Sequence, residues 1–149
     1  KKILKGLKYD NKTIKDISLL VEQHLRPHTF KMGWTDSAVR RYIVDAGHML
    51  EDLNQLVRAD VTTKNKTKAK EIYDNLDEME KRIEEVKAKE ELSKIRPALS
   101  GDEIMKHFNI QPGPKVGVIM KALYEQRIND GEVSKEEALQ LAEETFKNL

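Results

Sequence analysis

Apolar residues recur three and four positions apart along almost the whole chain, and no segment alternates with period two for long enough to form a sheet. The expected fold is all-α, an irregular multi-helix bundle followed by a small helical tail. From Asn11 to Pro27 the stripe is Ile14, Ile17, Leu20, Val21 and Leu25, and Pro27 stops it. Residues 28–34 read as a loop hinged at Gly33. Thr35 fits an N-cap with Asp36 in the first turn. It opens a helix whose stripe is Val39, Tyr42, Ile43 and Ala46, ending near Gly47. Residues 48–60 read as another helix, with Met49, Leu50, Leu53, Leu56 and Val57 inward.

A long charged stretch, about 64–92, contains neither Gly nor Pro. Its sparse apolar positions, Ala69, Ile72, Tyr73, Leu76, Met79, Ile83 and Val86, predict one amphipathic helix with a narrow stripe. Arg96-Pro97 marks a boundary, so the expected division is a helical body over 1–94 and a tail domain over 95–149. In the tail, Ser100-x-x-Glu103 and Ser134-x-x-Glu137 are capping boxes. The first opens a helix through Phe108. The second opens a final helix striped by Ala138, Leu141, Ala142, Thr145 and Phe146. Between them, Pro114 fits the first turn of a helix lined by Val116, Ile119, Met120, Leu123 and Tyr124, and Asn129-Asp130-Gly131 is a turn.

Composition narrows the function classes. The 149 residues include no cysteine, which excludes disulfide scaffolds and thiolate metal sites. No apolar run approaches the ~20 residues that span a bilayer, and lysines interrupt the N-terminus, so a soluble cytoplasmic protein without membrane contact is expected. Charged residues reach 36%, above the ~25% of ordinary soluble domains. Net charge is only +1, yet it is segregated: residues 1–68 carry +6, residues 69–111 carry −3 and residues 112–149 carry −2. A basic first half suits a polyanion, or is an ordinary solvated surface.

Phosphate-cradling glycine loops are absent from the sequence, and no Ser or Thr is singled out as a nucleophile. His24 follows Leu20 by four, and Asp60 follows Leu56 by four, so both are expected on inward faces. Inward His and Asp on separate helices are the raw material of a buried metal site. The alternative is a hydrogen-bonded core histidine and an aspartate at a helix end. A basic cluster comprises Arg40, Arg41, Arg58, Lys64, Lys66, Lys68 and Lys70. Lysines two apart fan around the start of the long helix, where the dipole disfavours cations unless an anion such as a phosphate meets them. Plain surface solubility is the competing explanation. Gly117 lies mid-helix, at a cost of ~1 kcal/mol against Ala. Close helix packing, or close approach of another backbone, would account for it.

Several ordered motifs are distinctive: Tyr9-Asp10-Asn11 with Val21-Glu22-Gln23-His24-Leu25-Arg26, then Trp34-Thr35-Asp36-Ser37-Ala38-Val39-Arg40-Arg41-Tyr42, then Leu56-Val57-Arg58-Ala59-Asp60-Val61-Thr62-Thr63-Lys64-Asn65. In the tail, Arg96-Pro97-x-Leu99-x-Gly101-Asp102-Glu103-Ile104-Met105 precedes Gly113-Pro114-x-Val116-Gly117 and Gly131-Glu132-Val133. This set, spanning nearly the whole chain, resembles bacterial CCA-adding tRNA nucleotidyltransferases, a family shared with poly(A) polymerases.

The resemblance implies a larger enzyme. Its catalytic head holds two magnesium ions on an Asp-x-Asp pair beside a Gly-Ser motif, and its neck reads CTP or ATP. Neither motif occurs here, so no catalytic residue and no cofactor is expected in this stretch, and the head and neck are expected partners. By position the chain resembles the second half of an HD-type helical domain, with His24 and Asp60 matching late metal-ligand positions of an incomplete site. The helical half of the family grips the acceptor and T arms of tRNA. The expected phosphate contacts are Arg40, Arg41, Arg58, Lys64, Lys66 and Lys68, with Lys115 and Lys121 in the tail. Apolar surface near Ile3, Leu4 and Leu7 is expected to favour self-association. Two other readings compete: an HD phosphohydrolase, against which no His-Asp dipeptide occurs, and an interaction module pairing through the 64–92 helix.

Overall fold

The structure, a computed structural model, describes residues 1–90 and 96–149. It is all-α: among the described residues there is no strand. The α-helices are α1 Lys2–Gly6, α2 Asn11–Gln23, α3 Asp36–Ala46, α4 Leu50–Ala59, α5 Lys66–Glu90, α6 Gly101–Phe108, α7 Pro114–Asp130 and α8 Lys135–Lys147. Short 3-10 segments cover Arg26–Met32 and Gly47–Met49. The chain forms two compact units, Lys1–Glu85 and Val86–Leu149. The boundary expected at 94 and 95, and the expected end of the long helix at 92, lie outside the described residues.

In the first unit, helix starts follow local chemistry. Asp10 caps α2 by accepting from the amides of Lys12 and Thr13 at 2.9 and 3.0 Å. Thr35 caps α3 as expected, accepting from Ala38 N–H at 3.2 Å. Gly47, with φ +53°, ends it. The core is built from Ile14, Val39, Tyr42, Ile43, Ala46, Leu50, Leu53, Val57, Leu76, Met79 and Ile83. Two expected stripes are narrower than the spacing implied. Val21 and Leu25 are each 62% exposed, because α2 ends at Gln23 and the chain turns into the 3-10 segment with Pro27 in its first turn. In α4 the buried seam is Leu50, Leu53 and Val57, and Leu56 lies outside it. No residue of α1 is buried, and Ile3 and Leu7 are exposed.

In the second unit both capping boxes form. Ser100 and Ser134 each accept from the N3 amide at 3.2 Å, and Glu103 and Glu137 reach back to the serine amides at 2.7 and 2.9 Å. Pro114 stands at the start of α7. The core is Leu99, Ile104, Ile119, Leu123, Ala138 and Ala142, flanked by Phe108 and Phe146, whose rings stack at 4.5 Å. The helix α7 runs on through Asn129 and Asp130, so the expected turn begins only at Gly131, with φ +85°. Gly117 is exposed, and a Cβ added there would meet nothing within 4 Å. Packing between the described helices therefore does not explain that glycine.

Candidate nucleic-acid interface

The first turns of α5 concentrate positive charge. Lys64, Lys66, Lys68 and Lys70 are all exposed, and the first turn contains no acidic residue. The helix begins there because Asn65 accepts from Lys68 N–H through Oδ1 at 3.1 Å, while Thr63 Oγ1 accepts from Asn65 N–H at 3.3 Å. Lys70 pairs with Asp74 at 2.7 Å, one turn on. For Lys64, Lys66 and Lys68 there is no carboxylate partner among the described residues. The helix dipole and the three ammonium groups thus present an unneutralised positive field to solvent.

Two arginines expected at this face are placed otherwise. Arg40 is only 7% exposed. The buried residues of α3 are Val39, Arg40, Tyr42, Ile43 and Ala46, so the inward face is wide enough to take in a position beside the apolar stripe. Arg58 is committed to α5. Its Nε donates to Glu80 Oε1 at 3.0 Å, and its Nη2 donates to Glu80 Oε2 at 2.7 Å and to Asp77 Oδ1 at 2.5 Å. Bonding to Glu80 first, and then to Asp77, holds the Arg58 guanidinium above its already high ordinary pKa. Tyr73, Asp77 and Glu80 share one face of α5, and Tyr73 Oη donates to the Arg58 carbonyl at 3.4 Å. Arg41 is half-buried.

In the second unit Lys115 and Lys121 are exposed on α7, and the Lys115 ammonium lies 5.5 Å from the Phe146 ring centre. His24 is half-buried at the end of α2, its Nδ1 2.7 Å from the Val21 carbonyl. Asp60 is exposed at the end of α4, not inward, because it lies four residues beyond Leu56, which is itself off the buried seam. Among the described residues no three His, Cys, Asp or Glu side chains gather into a group that would hold a metal ion. The described residues around His24 and Asp60 therefore do not fit a metal site. No helix among the described residues is long and apolar enough to cross a membrane.

A second cluster in the first unit is not evident from the spacing of residues. The Arg26 guanidinium lies 5.8 Å from the Trp34 ring and 5.7 Å from the Tyr42 ring, and Nη1 bonds Asp45 at 2.6 Å. Trp34 Nε1 donates to Thr29 Oγ1 at 3.0 Å, and Tyr42 Oη donates to Asn54 Oδ1 at 2.8 Å. Burial raises the Tyr42 phenol well above its usual range. The available signal is the interleaving of aromatic and basic residues, Phe30, Lys31 and Trp34 within the expected loop and Arg26 just before it.

Comparison with known proteins agrees with the resemblance. The family model for tRNA nucleotidyltransferase domain 2 matches residues 1–142. The chain is 31% identical over 132 residues to the CC-adding tRNA nucleotidyltransferase of Thermus thermophilus, covering 89% of this chain and 28% of that protein. It is 28% identical over 127 residues to the A-adding tRNA nucleotidyltransferase of Deinococcus radiodurans, covering 84% of this chain and 28% of that protein. The chain therefore spans less than a third of the length of either relative. No solved structure matches it. With the family model covering nearly its whole length, the chain belongs to the tRNA nucleotidyltransferase domain 2 family.

Proposed function

We propose that this chain is the RNA-anchoring helical region of an enzyme that adds C or A to the 3′ end of tRNA, gripping the acceptor and T arms. The observation that carries the reading is the trio Lys64, Lys66 and Lys68, exposed and without carboxylate partners among the described residues at the start of α5. Helix amides and ammonium groups recognise phosphate without regard to base sequence, which suits a duplex RNA whose deep groove side chains do not read. Arg41, half-buried on α3, and Lys115 and Lys121, exposed in the tail, complete the proposed set of phosphate contacts. Arg58 and Arg40 act at one remove, Arg58 by holding α4 to α5. The magnesium ions and the CTP or ATP belong to the catalytic head of the family, and no described residue is assigned to them.

A competition assay tests the anchor. An RNA minihelix made of the acceptor and T arms should displace labelled tRNA from the chain nearly as well as intact tRNA does. An anticodon hairpin should displace it at least tenfold less well. Equal displacement by both hairpins would remove the assignment to these arms.

A further inference from the structure

A cleft of about 420 Å3 opens in the first unit between the 3-10 segment and α5. That volume lies within the ~300–1,000 Å3 range of small-molecule sites. Phe30 and Trp34 supply an aromatic wall, Lys31 and Lys81 supply cations, and Asn75 and Glu78 supply hydrogen-bonding groups. Nothing in the proposed anchoring role uses these residues.

The cleft is built rather than incidental. Its 3-10 side is tied at one end by Arg26, which bonds Asp45 and faces the Trp34 ring. Inside the segment, Thr29 Oγ1 donates to the Arg26 carbonyl at 2.7 Å and accepts from Trp34 Nε1. Gly33 turns the chain at φ +86°, a conformation that L side chains rarely adopt. At the other end, Arg82 of α5 bonds Asp36 at the start of α3 and Glu85 of its own helix. Phe30 packs edge-on against Trp34 at 5.7 Å. These ties hold the wall against α5 before any ligand arrives.

The lining selects among ligands. A lone phosphate would use Lys31 and Lys81 and leave the aromatic wall idle. An acidic peptide would meet Glu78 and Glu85. An apolar ligand would strand the charged groups. A nucleotide uses all of them: its base stacks on an aromatic face, its exocyclic amino N–H groups donate to carboxylate or amide oxygens, and its phosphate meets an ammonium. Asn75 donates through Nδ2 to the Glu71 carbonyl at 2.8 Å, which leaves its Oδ1 to accept. Lys31, Lys81 and Glu78 are exposed, without ion-pair partners among the described residues.

We infer that this cleft takes one unpaired nucleotide of the RNA, with the base against Trp34 and Phe30 and the phosphate on Lys31 and Lys81. The inference rests on the RNA-anchoring reading for the source of that nucleotide.

Trp34 is the single tryptophan of the chain, so its fluorescence reports the cleft directly. Single-stranded hexaadenylate and AMP should quench it along a saturating curve, whereas a blunt RNA duplex should not. Lys81→Ala and Lys31→Ala, both at exposed positions, should keep the helical circular dichroism and weaken hexaadenylate at least fivefold. A quench that stays linear in ligand, or one that saturates identically in both variants, would overturn the site. The two proposals separate in the same experiment. Minihelix binding without any hexaadenylate quench removes the cleft and leaves the anchor. A saturating, Lys81-dependent quench without minihelix binding removes the anchor and leaves the cleft.

Discussion

Arg58 holds Glu80 with two hydrogen bonds, Nε to Oε1 at 3.0 Å and Nη2 to Oε2 at 2.7 Å. The pair joins the last turn of α4 to the middle of α5, and Asp77 adds a third bond. A fork-to-fork pair of this kind is stronger and more directional than a single surface ion pair. The Arg58 side chain is 29% exposed, so solvent screens part of it.

Replacing Arg58 should therefore act on folding before it acts on RNA. Arg58→Ala is expected to cost about 1–2 kcal/mol in urea denaturation, and Arg58→Lys should recover little of it, because an ammonium does not reproduce the fork. Unchanged stability together with weakened tRNA binding would make Arg58 a phosphate contact instead.

Gly117→Ala should raise stability by about 0.5–1 kcal/mol. The position is helical and exposed, with open space where the methyl group would stand, so only the helix propensity difference remains. A thermal melt of the full chain reads the sign. A fall in the midpoint would mean that something packs closely on this face of α7.

Glu103 links two helix starts. Its Oε1 accepts from the Lys135 ammonium at 2.7 Å, while Oε2 accepts from the Ser100 amide and hydroxyl at 2.7 and 2.9 Å. The Lys135 bond first, then the Ser100 bonds, lower the carboxyl from its ordinary 4.5 to about 2. A depressed acid contributes stability that is complete above 4.5 and is lost as pH falls from there towards 2. Glu103→Gln should thus melt earlier than the natural chain at pH 7 and converge with it near pH 2. Parallel curves across that range would contradict the assignment.

Much of the fold was legible because its helix ends are written in single residues. Thr35, Ser100, Ser134 and Pro114 sit where their backbone preferences require, and the structure begins helices at each. The stripes were less legible, because spacing fixes a face but not its width. Arg40 falls inside a broad face of α3, whereas Leu56 and Asp60 fall outside a narrow one of α4. The 3-10 segment over Arg26–Met32 straddles the expected helix end at Pro27 and the expected loop over 28–34, and 3-10 turns have no strong periodic signature, so neither the segment nor the aromatic pair Phe30 and Trp34 is legible in spacing alone. Within the candidate interface, sequence showed where the cations lie but not which already have partners. Arg58 meets carboxylates 19 and 22 positions away, a pairing that only the tertiary structure supplies.

The anchoring claim is tested most directly by titrating the chain with tRNA across a series of salt concentrations, beside a Lys64→Gln, Lys66→Gln, Lys68→Gln triple variant. Each phosphate contact contributes about 0.7–0.9 to the slope of log affinity against log salt. The variant should bind at least tenfold more weakly at low salt, with a slope shallower by about two to three units. Its folding stability should be equal or slightly higher, since cations at a helix N-terminus are unfavourable. An unchanged slope in a folded variant would contradict the account and leave these lysines as ordinary solvated surface.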